Sequence, residues 1–124
     1  MTMDYEKIAD EILAVDNAVH YVSIADREGN LVFSKMKEGK KQIIDEREEK
    51  VLASDLSVMK VMQGLYNDSL GRVTCMLTTR ERIHQIVYFV DIFTIYVSCE
   101  RNIDGQKIVE IKQEIESTIR KLVQ

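Results

Sequence analysis

The hydrophobic pattern of this chain changes period four times, between helical and strand-like spacing, and that alternation most narrows the folds open to it. Tyr5, Ile8, Ile12 and Val15 recur at spacings of three and four, the stripe of an amphipathic helix over about 5–15. Strand-like runs follow at about 19–25 and 30–35, then a long helical stretch at about 46–66. Three more strand-like runs occupy about 72–79, 83–90 and 93–99. Ile108, Ile111, Ile115, Ile119 and Leu122 then mark a closing helix over 105–123. The order is helix, two strands, helix, three strands, helix.

The links between strands are short. Asp26-Arg27-Glu28-Gly29 is a hairpin signal, with Asp bonding the turn through its side chain and Gly taking the positive φ that closes it. Thr79-Arg80-Glu81-Arg82 and Asp91-Ile92 are equally tight, so the last three strands form an antiparallel meander. Val22 and Ile24 alternate with Tyr21 and Ala25, and the later strands also carry apolar residues on two faces. A sheet apolar on both faces is covered on both. The expectation is an α/β chain of the α+β kind, a five-stranded antiparallel sheet with helices on both faces in one domain over 1–124.

Asp4 and Asp104 stand where N-caps belong, Met3 and Ile8 where a hydrophobic staple would close the first helix, and Asp45 with Glu48 matches a capping box. The middle helix is unusual in breadth. Val51, Leu52, Leu56, Val58, Met59, Met62, Leu65 and Tyr66 spread over an arc of roughly 180°, where a sheet-packed helix needs nearer ~100°. The surplus width predicts a second contact. Asp55 falls inside the arc, so it belongs at the edge of the contact or beside a basic partner. Met59 and Met62 suit either core or an adaptable interface.

Composition excludes several function classes. Hydrophobic content of 45% with 31% charged residues, five Gly and no Pro describes a folded chain with little irregular linker. A net charge of −4 gives no reason to expect nucleic acid, which favours a concentrated basic face. No apolar run reaches the ~18 residues of a membrane span, and the start, Met1-Thr2-Met3-Asp4-Tyr5-Glu6, reads as acidic and helical rather than as a signal. The expected location is the cytoplasm. Cys75 and Cys99 sit in apolar strand patterns, as buried reduced thiols or, less simply, as a strand-to-strand pair. Lys35, Lys37, Lys40 and Lys41 around Gly39 read as a solvated connection, with a phosphate or acidic-partner contact as the alternative. Arg72, Arg80 and Arg82 stand at the meander's rims, solvated or at a protein contact.

No phosphate loop, dinucleotide fingerprint, nucleophile elbow or zinc-spaced Cys/His set is present, so no catalytic, cofactor or metal residue is assigned. His20 and His84 lie mid-strand, where a structural or surface role is the simpler one. Tyr21, His84 and Tyr88 are the candidates if a small-molecule pocket exists beside the sheet.

The whole order of elements resembles the roadblock domain, within a roadblock/longin-like superfamily that is also profilin-like in architecture. The stretch Val19-His20-Tyr21-Val22-Ser23-Ile24-Ala25-Asp26-Arg27-Glu28-Gly29-Asn30-Leu31-Val32 is similar to that family's hairpin of apolar strand, Asp-x-x-Gly and apolar strand. Phe93-Thr94-Ile95-Tyr96-Val97-Ser98-Cys99-Glu100 before Asp104 resembles its last strand and final helix. More narrowly, the chain resembles small archaeal proteins of this fold. Longin domains begin with a strand and end with two helices, unlike this order. The resemblance implies a homodimer joined through the middle helix and the first meander strand, which would place Leu56, Met59, Met62, Val73 and Cys75 at or near a two-fold interface. It also implies a non-catalytic scaffold or regulator of a small Ras-like GTPase, or a light chain of a larger complex. A ligand-sensing domain of profilin or PAS-like architecture is the rival expectation.

Overall fold

A computed structural model describes residues 3–123; Met1 and Thr2, part of the start read above as acidic and helical, lie outside the described residues. The element order is α1 (Tyr5–Leu13), β1 (Val19–Asp26), β2 (Leu31–Met36), α2 (Glu46–Gly64), α3 (Asn67–Leu70), β3 (Cys75–Thr79), β4 (Ile83–Val90), β5 (Phe93–Glu100) and α4 (Gly105–Leu122). The five strands form one sheet in the order β2-β1-β5-β4-β3. Every pairing is antiparallel. The expected α+β architecture is therefore the observed one.

Local chemistry sets the helix ends. The Asp4 side chain accepts from the Lys7 amide at 3.0 Å and Asp104 from the Lys107 amide at 2.8 Å. At α2 the capping box is complete: Asp45 accepts from the Glu48 amide at 2.8 Å, and the Glu48 carboxylate accepts from the Asp45 amide at 3.1 Å. The Asp26 carboxylate organises the β1–β2 turn, accepting from the amides of Glu28 at 3.0 Å and Asn30 at 2.9 Å. Gly29 follows with φ +85°, as the turn signal requires.

The two faces of the sheet are covered unequally. On one face α1 and α4 enclose the main core, including Ile8, Ile12, Ile24, Ile86, Ile95, Val97, Ile111 and Ile115. On the other, α2 covers a smaller core of Tyr21, Leu56, Val87 and Tyr96, with Met36, Leu52, Met76 and Phe89 at its margin. α2 lies over β1 and β2, and so leaves the opposite side of that face, towards β3, more open.

Two sequence expectations need correction. The middle helix is not continuous to Tyr66: α2 stops at Gly64, and a single turn, α3, follows before Gly71 at φ +82°. The first meander strand starts at Cys75 rather than at 72; of residues 71–74 only Thr74 reaches β4, its carbonyl accepting from the Phe89 amide at 3.1 Å. Cys75 and Cys99 are free thiols, Cys99 buried and Cys75 half-buried, as the simpler reading has it; the alternative strand-to-strand pair fails because β4 lies between β3 and β5. The connection between β2 and α2 is held in part by its lysines. The Lys37 ammonium donates to the Asp16 carbonyl oxygen at 2.5 Å, while Lys35 just before it pairs with Asp10 at 2.6 Å.

Candidate functional site

The feature that the fold leaves unfinished is a row of apolar side chains on α2, with an open sheet edge across the same face at β3. On the inward side of α2, Leu56 is 5% exposed and Ala53 4%, both against the sheet. The outward side carries Val51, Val58, Val61, Met62 and Leu65, from 50% to 81% exposed. Tyr66 and Leu70 continue the row past the helix end. Isolated exposed apolar residues need no explanation, but a contiguous row marks an interaction surface. The breadth of the arc thus has a concrete meaning. Half of it packs on the sheet and half faces water. Asp55 sits on the exposed side, at the edge of the intramolecular contact.

Between α2 and β3 runs a groove floored by the sheet. Its wider part, about 950 Å³, is lined by Val51, Leu52 and Asp55 on the helix and by Arg80, Gln85 and Tyr96 opposite. The floor is fixed by a polar chain: the Arg80 guanidinium donates to the Gln85 side-chain oxygen at 2.6 Å, and the Gln85 amide donates to the Tyr96 hydroxyl. Tyr96 meets Tyr21 edge-to-face with ring centroids 6.0 Å apart. Tyr21 donates at 2.8 Å to the carboxylate of Glu49, which is itself 8% exposed. Burial, with the Glu49 bond added, pushes the Tyr21 hydroxyl pKa well above its ordinary value, and burial raises that of Tyr96. Both phenols stay protonated, Tyr21 donating to Glu49 and Tyr96 accepting from Gln85, so the floor is a fixed hydrogen-bonding surface. β3, at the end of the sheet, bounds the open side, and only its β4-facing edge is paired among the described residues.

The five residues placed at an interface by resemblance are not equivalent. Leu56 is buried under its own helix, Met59 is half-buried and Met62 is 61% exposed. Val73 lines the cleft below the end of α2. Cys75 packs at the margin of the other core, opposite Tyr88 in the β3–β4 register. Pattern analysis did not single out Val61 or Leu70, or Ile43 at 60% exposed before the helix, and all three enlarge the apolar surface. Val61 lies at the helical angle opposite Leu52, outside the stripe that spacing alone singles out.

The three candidate pocket residues do not converge. Tyr21 belongs to the α2-side core, whereas Tyr88 belongs to the core under α1 and α4. His84, Ile86 and Tyr88 stand two residues apart along β4 and so share one face. Tyr88 donates to the Lys112 carbonyl at 2.9 Å, and the His84 Nδ1 lies 3.0 Å from the Thr79 hydroxyl. The sheet stands between Tyr21 and the other two. Burial pushes the Cys75 thiol up to about 11 and Cys99 up to about 12, so both are poor nucleophiles at neutral pH. Among the described residues no group of three or more His, Cys, Asp and Glu could hold a metal ion, and no helix is long and apolar enough to cross a membrane.

Solved structures share this arrangement of helices and sheet. The gliding protein MglB from Thermus thermophilus superposes with a TM-score of 0.72 at 13% identity, over 94% of this chain and 86% of that one. The Roadblock/LC7 domain from Streptomyces avermitilis gives 0.67 at 10% identity, over 95% and 96%. The fold is of the roadblock type. Schizosaccharomyces pombe profilin also superposes, with a TM-score of 0.65 at 7% identity over 98% of this chain and all of that one. The roadblock fold thus carries the profilin-like architecture that the element order predicted. No protein-family model matches the sequence, and no curated protein does. The likeness lies in backbone arrangement, with few side chains in common.

Proposed function

We propose that the protein is a self-associating interaction module of roadblock type whose docking surface is the outer face of α2 with the edge of β3. The observation that carries this is the exposed row Val51, Val58, Val61, Met62 and Leu65 on the same sheet face as a β3 edge that is open among the described residues. An open edge is a template for another strand, and a two-fold contact satisfies edge and apolar row at once. Each large apolar side chain removed from water contributes roughly 1.5–3 kcal/mol, so the row supplies a driving force. Met62 and Val61 stand at the centre of this surface, with Met59 at its inner margin and Leu56 supporting the helix from beneath.

The module works without chemistry of its own, as a scaffold or regulator that docks a small Ras-like GTPase, which is the role the roadblock resemblance implies. Light scattering on the eluting protein tests the first part: a dimer or higher oligomer at micromolar concentration supports it, and a strict monomer overturns it. Binding of a Ras-like GTPase from the same genome, loaded with a GTP analogue and compared with its GDP form, tests the second. Equal absence of binding in both states removes the GTPase from the reading and leaves the scaffold.

A further inference from the structure

Three cations of this acidic chain meet in one cleft. A cleft of about 320 Å³ opens at the far end of α2 from the capping box, between Arg27 of the β1–β2 turn, Lys60 of α2, Arg72 of the link between α3 and β3, and Asp91 of the β4–β5 turn. Three positive groups and one carboxylate leave a local formal charge of +2, in a protein whose net charge is −4. The Lys60 ammonium is half-buried and donates to the Val90 carbonyl oxygen at 2.9 Å; burial, followed by the charge of Arg72, lowers its pKa. Arg72 pairs with Asp91, whose carboxyl is held below its ordinary range by that bond, with the charges of Lys60 and Arg27 adding to it. One carboxylate is therefore shared among three cations. Arg27 lies exposed on the turn, with no side-chain partner among the described residues. Ser57, Gln63 and Asn67 add neutral donors to the wall, and Val61, Val73 and Phe89 give it an apolar part.

We propose that this cleft binds a small phosphate monoester, with Arg27, Lys60 and Arg72 around the phosphoryl group and the organic part against Phe89 and Val73. Guanidinium groups match a phosphoryl group through paired N–H donors, and a monoester carries about −1.5 to −2 at neutral pH, close to the surplus the cleft holds. The volume exceeds what a bare phosphate fills, and the apolar wall selects an ester over the free ion. Salt weakens such a site, because part of it is open to water.

Isothermal titration of the intact protein with phenyl phosphate, inorganic phosphate and phenol tests the proposal. The expected result is saturable binding of phenyl phosphate at millimolar or lower concentration, weaker binding of inorganic phosphate and none of phenol. Arg27→Gln, on an exposed turn, is expected to weaken the phenyl phosphate interaction roughly tenfold or more, with unchanged melting temperature and mass. Absence of phenyl phosphate binding overturns the proposal, as does binding that Arg27→Gln leaves intact. If Arg27→Gln changes the mass of the assembly and no phosphate ester binds, the cations serve a protein contact and the proposal also fails.

Discussion

Gly29 carries two constraints at one position. Its φ of +85° lies where side chains are strained, and a Cβ there would stand 2.9 Å from the Ser57 Cβ and 3.2 Å from the Ser54 Cα. The turn therefore docks directly on α2, and Ser57 donates to the Arg27 carbonyl at 3.3 Å across the same contact. Gly29→Ala is expected to lower stability by about 1–3 kcal/mol, read by urea denaturation. The turn signal was legible in the sequence, but the reason Gly must also be small was not, because the α2 backbone comes from another part of the chain. Acid sensitivity belongs to the same scale. Asp26 has its pKa lowered, first by the Asn30 amide, and Asp16 first by the Ala18 amide and then by Lys107. The folded protein thus binds fewer protons at these sites than the unfolded chain, whose carboxyls titrate near ~3.9. Their stabilising effect is complete above that value and is lost as pH falls through the lower folded values. A melting series from neutral pH down to about 3 is expected to show a steep loss below about 4, and Asp16→Asn should make that loss shallower while lowering stability at neutral pH.

At the scale of elements, α2 is where periodicity had the most to say and left the most undecided. Its start was legible, since Asp45 and Glu48 close the capping box as spacing predicts. Asp45→Ala is expected to cost about 1 kcal/mol, measured by thermal unfolding. Its breadth was legible too, but not which half of the arc faces the sheet. Leu52 and Leu56 face inward because α2 lies over β1 and β2 and its angle of approach turns Val58, Val61 and Met62 to water. A charge on the outward half tests the surface without disturbing the core. Met62→Glu should reduce the assembly to monomer in light scattering while the monomer's circular dichroism stays unchanged. A Met62→Glu protein that remains an oligomer of equal stability would remove this row from the interface. Leu56→Ala makes a useful contrast, since loss of a buried Leu side chain costs about 2–5 kcal/mol through the cavity and should lower the unfolding midpoint itself.

For the whole molecule, unequal cover of the two sheet faces is the property with the widest consequence. The face under α1 and α4 is filled, whereas the α2 face ends in a groove and an edge strand. If association completes that second face, folding and assembly share free energy, and the melting temperature rises with protein concentration. A tenfold dilution that leaves the melting temperature unchanged would separate folding from assembly. Small apolar cores leave small domains with modest stability, so the effect should be readily visible.

Local patterns in the sequence determined the order of elements, the helix caps, the Asp26–Gly29 turn and the demand for helices on both faces. These depend on neighbours three or four residues apart, or on alternation within one strand, and one chain segment contains all the information. The strand order, the separation of Cys75 from Cys99 and the division of Tyr21 from His84 and Tyr88 were decided only in three dimensions. So was the cation cleft, which joins Arg27, Lys60 and Arg72 from distant segments. Sheet face and sheet neighbour are set by which segments pack together, and no spacing within a single segment encodes that.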